Sequence, residues 1–481
     1  MAATTRLNTQ RKNNHNTMFQ LRNQKRGCVH APNKIGPYGL PILGYLPFLQ
    51  PNLHHHFTKL AHKYGPIYKL RLGTKLCVVI SSPSLIKEVV QDAIFANRDP
   101  PVAALVTTGG GLDIVWSPYR PYWRDMRKLF VREMLSNNNI QASYLLRKED
   151  IRRVVRNLRG KIGEPVDIGE VVFLTEANVI MNLLWGGTNG GEKWDRLGEG
   201  KPNVSDFFPG LGKFDVQGIE KEMREVLSGV EEILDVVVGE RMKTMEGGGE
   251  WRGDRRRDFL EILLELRGQE VGERSFDVPQ IKAMLLDIVV GGTDTTSTIV
   301  EWVMAELLDK PRVMEKVQQE LIDVVGVNNI VEESIISKLH YLDAIVKETF
   351  RLHLPLPLLV PRVFLNMWSI YMDPQVWENP LEFQPDRFLN DTENLDYTGN
   401  SFQYLPFGLG RRVCPGLPLG ERMVMYLLAT LIHLFEWRLR EGERIGLSEK
   451  FGIIMRKSKT LYAVTYQNYH ISTCMNNHNM I

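Results

Sequence analysis

The chain has 481 residues, 43% hydrophobic and 24% charged, a composition that allows a large buried core and reads as globular. Its four cysteines, Cys28, Cys77, Cys414 and Cys474, lie far apart with no CxxC pair, which argues against a disulfide framework or a zinc site and for a reducing compartment. The formal net charge is only +2, yet the first acidic residue is Glu88 and thirteen Lys and Arg precede it. That imbalance suits either a surface beside anionic lipid or another acidic partner, or a solvated basic tail.

Residues 1–35 are expected as a disordered or atypical N-terminus; residues 1–30 contain Arg and Lys, many Asn and no acid, a composition loosely like a transit peptide, or a disordered or misassigned terminus. The longest apolar runs, such as Met423 to Phe435, are too short to span a bilayer, so no transmembrane anchor is expected. "GPYGLPILG", Gly36 to Gly44, leads the chain onto the folded body. His54, His55 and His56 open an amphipathic stretch. They read as a solvated face rather than a metal site, because consecutive residues do not face one another on a helix. "IYKLRLG" and "LCVVISS" flank Gly73 and Thr74 as the strands of a hairpin.

Beyond about residue 120 the periodicity is mostly helical, without internal repeats. "YWRDMRKLF" places Trp123 and Arg127 four apart on one face, two donors suited to carboxylates. "WGGTNGGEKWDRLGEGKPN", Trp185 to Asn203, carries little helical signal, and Glu246 to Asp258 is a charged Gly-rich loop between helical segments. The fold class expected is mainly α with a small β-sheet region. No sequence break is sharp enough to define a second domain, so residues 36–465 are expected as one domain, followed by a tail at 466–481.

"AMLLDIVVGGTDTTSTIVEWVMAELL", Ala283 to Leu308, is a long apolar helix interrupted at Gly291-Gly292. Each mid-helix glycine costs roughly 1 kcal/mol relative to alanine, so something should compensate. The Thr295 hydroxyl can compete for the Gly291 carbonyl four residues back, loosening the helix and opening a groove. Such a groove would hold dioxygen, with Thr295 and Asp294 placed to deliver protons to it. "KETFRLHLP" then sets Glu348 and Arg351 three apart on one helical face. Arg387 of "FQPDRF" would complete a buried network bracing the cysteine loop, a scaffold rather than a catalytic group.

That loop is "LPFGLGRRVCPG", Leu405 to Gly416. Cys414 precedes Pro415 and an apolar helix read over Glu421 to Phe435, so it sits at a helix N-terminus, where a thiolate is favoured. Gly408, Gly410 and Gly416 let a flat group approach the backbone, while Arg411 and Arg412 supply cations. A thiolate beneath a flat, anionic group describes haem with its propionates. Trp123, Arg127, Arg412 and Arg362 of "LVPR" are the candidates to neutralise those carboxylates.

Together these stretches resemble the cytochrome P-450 family from about Gly36 to Val464. The family's cysteine signature is matched at Phe407, Gly410, Arg412, Cys414 and Gly416, its oxygen motif by "GGTDTT", its charged helix pair at Glu348 and Arg351, and its partner arginine at Arg387. "PNVSDFFP", "KFDVQGIEKEM", "GGTDTTSTIVEW" and "NSFQYLPFG" are similar to plant microsomal members that hydroxylate terpenoids or flavonoids, sesquiterpene hydroxylases of the δ-cadinene type nearest.

The resemblance implies a haem-thiolate monooxygenase with haem b (iron protoporphyrin IX) between the oxygen-binding helix and the cysteine-ligand helix. It implies O2, a small hydrophobic substrate, electrons from NADPH-cytochrome P-450 reductase and the cytosolic face of the endoplasmic reticulum membrane. No nucleic-acid partner and no nicotinamide site in this chain are expected. The sequence departs from the family pattern in three places: no anchor in residues 1–30, a Gly-rich stretch between Asn178 and Pro202 where a helix is usual, and a skipped β-hairpin after Arg362. An O2-independent isomerase or dehydratase and a haem-poor relic are the alternative readings. The pocket is expected from the loop around Val102 to Val115, the Ile288 to Val290 face of the oxygen helix and "LPLLV" at Leu356 to Val360; its aliphatic character favours a terpenoid over a flavonoid.

Overall fold

The computed structural model describes residues 36–91, 93–187, 204–208, 215, 217–246, 258–271, 274–359, 363–389 and 395–468. The helical periodicity is realised in α1 (Leu53–Tyr64), α2 (Pro121–Glu133), α3 (Ile168–Trp185), α4 (Val278–Asp309), α5 (His340–Leu352) and α6 (Leu417–Leu434), with further helices around them. Residues 1–35, 188–203 and 247–257, which hold the atypical terminus and most of both Gly-rich stretches, lie outside the described residues.

Helix α4 starts where Asp277 accepts from Val278 N and Gln280 reaches back to the Asp277 N–H at 3.1 Å, a capping box followed by Pro279 in the first turn. It runs unbroken for 32 residues, so the expected interruption at Gly291-Gly292 does not occur. The compensation for Gly292 is packing: a Cβ there would lie 2.9 Å from Ile180 Cδ1, so the bare backbone lets α3 settle directly onto α4.

Helix α6 begins four residues earlier than its apolar run suggests, with Gly416 as N-cap and Pro418 in the first turn. Phe435 is not its last residue but the first of strand Phe435–Arg438. Both α3 and α6 are long and apolar enough to cross a bilayer, contrary to the expectation that the apolar runs are too short. Their windows are 56% and 72% buried inside the protein, however, as core helices require.

The expected hairpin is present as β1 (Ile67–Leu72) and β2 (Lys75–Ile80), antiparallel with Leu72 opposite Lys75. Gly73 turns it at φ +59°, a left-handed value that favours glycine. Strand Phe364–Asn366 pairs parallel to β2 and antiparallel to Leu358–Leu359, completing a four-stranded sheet. Pro165–Asp167, Tyr462–Gln467 and Phe435–Arg438 form a three-stranded sheet, and Glu449–Lys450 pairs with Arg456–Lys457.

Two further expectations are corrected. His54 and His56 are buried, not solvated. The rings of Trp368 and Phe451 cover His54, Tyr45 stacks on His56, and Asn366 Nδ2 donates to the His54 carbonyl at 3.0 Å. These partners lie too far along the chain for helical spacing to reveal them. The segment from Val102 also opens as a short helix, Val102–Thr107, rather than a loop.

Candidate active site

The loop before α6 is shaped by its backbone. Cys414 N donates to the Phe407 carbonyl at 2.9 Å, closing the turn. Gly408 and Gly410 adopt φ +73° and +62°, and a Cβ on Gly410 would strike Val90 Cγ1 at 2.6 Å. Burial raises the Cys414 pKa, while the Gly416 N–H, the Arg127 guanidinium and the Leu417 N–H pull it down. The thiol is nonetheless accessible to solvent. It therefore faces a cleft within the protein, which a cysteine packed merely as a small hydrophobe would not do.

Cations converge on this cleft. Trp123 Nε1 and Arg412 Nη1 both donate to the Ile114 carbonyl, at 2.8 and 3.0 Å, and the Arg412 guanidinium lies 4.3 Å from the Trp123 ring centroid. Arg127 lies 5.5 Å from the same ring and donates to the Val413 carbonyl. Arg98, which the sequence reading did not single out, donates to the Val115 carbonyl at 2.9 Å. Burial and the neighbouring Arg98 pull the Arg412 pKa down to about 9. Of the nearby carboxyls, Asp113 is buried and Asp287 partly buried, and desolvation raises the pKa of both. Three crowded guanidiniums beside an accessible thiol fit a group carrying a thiolate-seeking metal and two carboxylates. The haem expected from the sequence meets that description. Arg362 lies outside the described residues.

On α4, Thr295 Oγ1 donates to the Gly291 carbonyl at 2.8 Å. Gly291 is exposed, and a Cβ there would meet nothing within 4 Å, so this face of the intact helix borders open space. Asp294 is buried and paired with Arg456 at 2.6 Å. Arg456 comes from the hairpin that also carries Glu449. Of the expected apolar face, Ile288 and Val289 are buried in the core and only Val290 is partly exposed. Leu356 is exposed, and Val360 lies outside the described residues. Asp287 reaches Ile114 N at 3.1 Å, tying α4 to the segment after Val102.

Glu348 and Arg351 are fully buried and paired through two bonds, Arg351 Nε to Oε2 at 2.7 Å and Nη2 to Oε1 at 2.8 Å. Arg387 Nε donates to Glu348 Oε1 at 3.2 Å, bringing together the three residues read as a network. Its link to the cysteine loop runs through Tyr371. Arg351 Nη1 donates to the Tyr371 carbonyl at 3.0 Å, the Tyr371 hydroxyl accepts from Leu405 N, and the Tyr371 ring stacks on Tyr404 at 5.9 Å. Phe407 packs on Phe350 of α5, ring centroids 5.2 Å apart. Tyr371 and Arg98 escaped the sequence reading because neither lies at a helical spacing from a recognised partner.

The family model described as Cytochrome P450 matches residues 35–464. Cytochrome P450 93A3 of Glycine max is 36% identical over 465 residues, covering 89% of this chain and 91% of its own. Geraniol 8-hydroxylase of Catharanthus roseus is 36% identical over 466 residues, covering 89% and 93%. Flavonoid 3'-monooxygenase CYP75B137 of Crocosmia x crocosmiiflora is 34% identical over 481 residues, covering 91% and 93%. Among solved structures, a zebra fish cytochrome P450 with progesterone superposes with a TM-score of 0.70 at 26% identity, covering 86% of this chain and 99% of that one.

Proposed function

The chain belongs to the cytochrome P450 family, and from that premise we propose that it hydroxylates a small terpenoid, with Cys414 as the thiolate ligand of the haem iron. Haem, when bound, supplies the activation of dioxygen. The chain's own groups do the rest. The N–H groups of Gly416 and Leu417 and the Arg127 guanidinium favour the anionic form of Cys414. Arg412, Arg127 and Arg362 would bind the two carboxylates, with the Trp123 ring stacked under Arg412 and its one N–H held by the Ile114 carbonyl, while Phe407, Gly410 and Gly416 would shape the face beneath the ring.

On the opposite side, the Thr295 hydroxyl holds a proton beside Gly291. Asp294, paired with Arg456, relays protons from solvent toward Thr295. Glu348, Arg351 and Arg387 keep the cysteine loop in place and touch no reacting atom. The observation that carries this reading is the accessible thiol at the meeting point of glycines and guanidiniums.

Val290 and Leu359 are partly exposed and Leu356 exposed, aliphatic side chains that bring no polar group to orient a ligand, which favours a terpenoid. Relatives named for geraniol and for a flavonoid keep both classes in view. Electrons come from an NADPH-dependent reductase at the cytosolic face of the endoplasmic reticulum. The test is a titration of the purified, haem-loaded protein with sesquiterpenes and with flavanones, reading the low-to-high-spin shift of ferric haem. A shift with sesquiterpenes is expected; a shift with flavanones alone overturns the substrate class, and failure to take up haem overturns the enzyme in favour of a haem-poor relic.

A further inference from the structure

A second group of ligating side chains shares no residue with the site above. His54, near the start of α1, is 1% exposed, and neither of its ring nitrogens has a hydrogen-bond partner among the described residues. Leaving buried polar atoms unsatisfied costs free energy, so such an imidazole calls for a partner. Its Nε2 lies 3.8 Å from Glu449 Oε2, too far for a hydrogen bond. His55 follows, partly exposed, its ring centroid 4.2 Å from that of His54 and 4.2 Å from that of Trp368. His54, His55 and Glu449 each offer one ligand atom, all within 4.8 Å of one another.

Zinc bonds of about 2.0–2.2 Å to nitrogen and oxygen can bridge the 3.8 Å between His54 and Glu449 at a bent angle, and a small turn of the half-exposed His55 ring brings in the third ligand. The outer shell is already ordered. Glu449 Oε1 lies 3.6 Å from His353 Nδ1, and His353 Nε2 contacts Glu306 Oε1 at 2.6 Å while its ring stacks on Trp302 at 3.9 Å. Such partners orient a ligating carboxylate. His55 and Glu449 also line an open cavity of about 580 Å³, an entry path with room for a water as fourth ligand. Two imidazoles and one carboxylate suit a first-row transition metal rather than Ca²⁺ or Mg²⁺.

We propose that His54, His55 and Glu449 bind one divalent first-row transition metal ion, Zn²⁺ being the representative, clipping α1 to strand Glu449–Lys450. The geometry that sequence spacing argued against arises because the third ligand comes from the far end of the chain.

The test uses the full-length, haem-loaded protein, stripped with a chelator and titrated calorimetrically with zinc chloride, with bound zinc counted by elemental analysis. One zinc per chain is expected. His55→Ala, partly exposed and outside the buried network, should weaken binding by more than the roughly 10–100-fold that loss of an outer-shell partner costs. Glu449→Gln should do the same, whereas His340→Ala, on an exposed histidine outside the cluster, should leave binding unchanged. Circular dichroism and the haem spectrum verify folding. Absence of zinc binding in the parent protein, or parental affinity in a folded His55→Ala, overturns the site.

Discussion

The cysteine loop and helix α4 are held by different forces. Beneath the cysteine loop, Glu348, Arg351 and Arg387 form a buried charge network that reaches Leu405 through Tyr371. Helix α4 is held largely by close apolar packing on α3, Ile180 against Gly292, with Asp294 also paired to Arg456. A buried ion network fails as a unit when one member is lost, because the others are left uncompensated. An apolar interface yields by degrees. The cysteine side should therefore respond to substitution by collapse, and the oxygen side by graded loss.

The largest effect expected is from Glu348→Gln, which strands the Arg351 and Arg387 charges and should cost about 3–5 kcal/mol. The measure is the ratio of haem to protein after purification, which should fall far below that of the parent. Parental haem content would break the contrast between the sides.

Next is a stabilising change on the oxygen side. Glu176 of α3 is buried, and burial, reinforced by the Asp150 charge, raises its pKa to about 8. The folded protein thus holds a proton that the unfolded chain releases near pH 4.5, so this contribution is complete below that pH and is lost as pH rises to about 8. Glu176→Gln removes the dependence. Thermal melts should show the variant gaining on the parent between pH 5 and 8, by up to about 3 kcal/mol at pH 7, and levelling above. A constant difference across that range would contradict the assignment.

A smaller loss is expected from Gly292→Ala. Its Cβ would meet Ile180 Cδ1 at 2.9 Å. Overpacking costs about 1–3 kcal/mol, offset by roughly 1 kcal/mol of helix propensity. Ile180→Val in the same chain should restore the melting temperature, and no rescue would place the strain elsewhere.

The smallest effect on stability is from Thr295→Ala, which removes one hydrogen bond to Gly291 worth about 1 kcal/mol. Its consequence is functional: oxygen should still be consumed but end largely as free hydrogen peroxide, measured against hydroxylated product. Unchanged coupling removes Thr295 from the proton path.

What the sequence revealed follows the same division. The cysteine loop, the glycine and threonine run of α4 and the Glu348–Arg351 spacing are short contiguous patterns, legible because one backbone element positions each of them. The burial of His54 under Trp368 and Phe451, the Asp294–Arg456 pair and the Tyr371 relay join residues far apart in the chain, which periodicity does not reach. Gly292 was readable as a cost, but its compensation needed the position of Ile180.

The central claim, that the Cys414 thiolate ligates haem at the meeting of the two sides, is tested most directly by the reduced carbon monoxide difference spectrum of Cys414→Ser beside the parent. A hydroxyl is not an equivalent anionic ligand at neutral pH, so the parent should show the thiolate Soret band and the variant should lose it. A variant that keeps the band would contradict the assignment of Cys414.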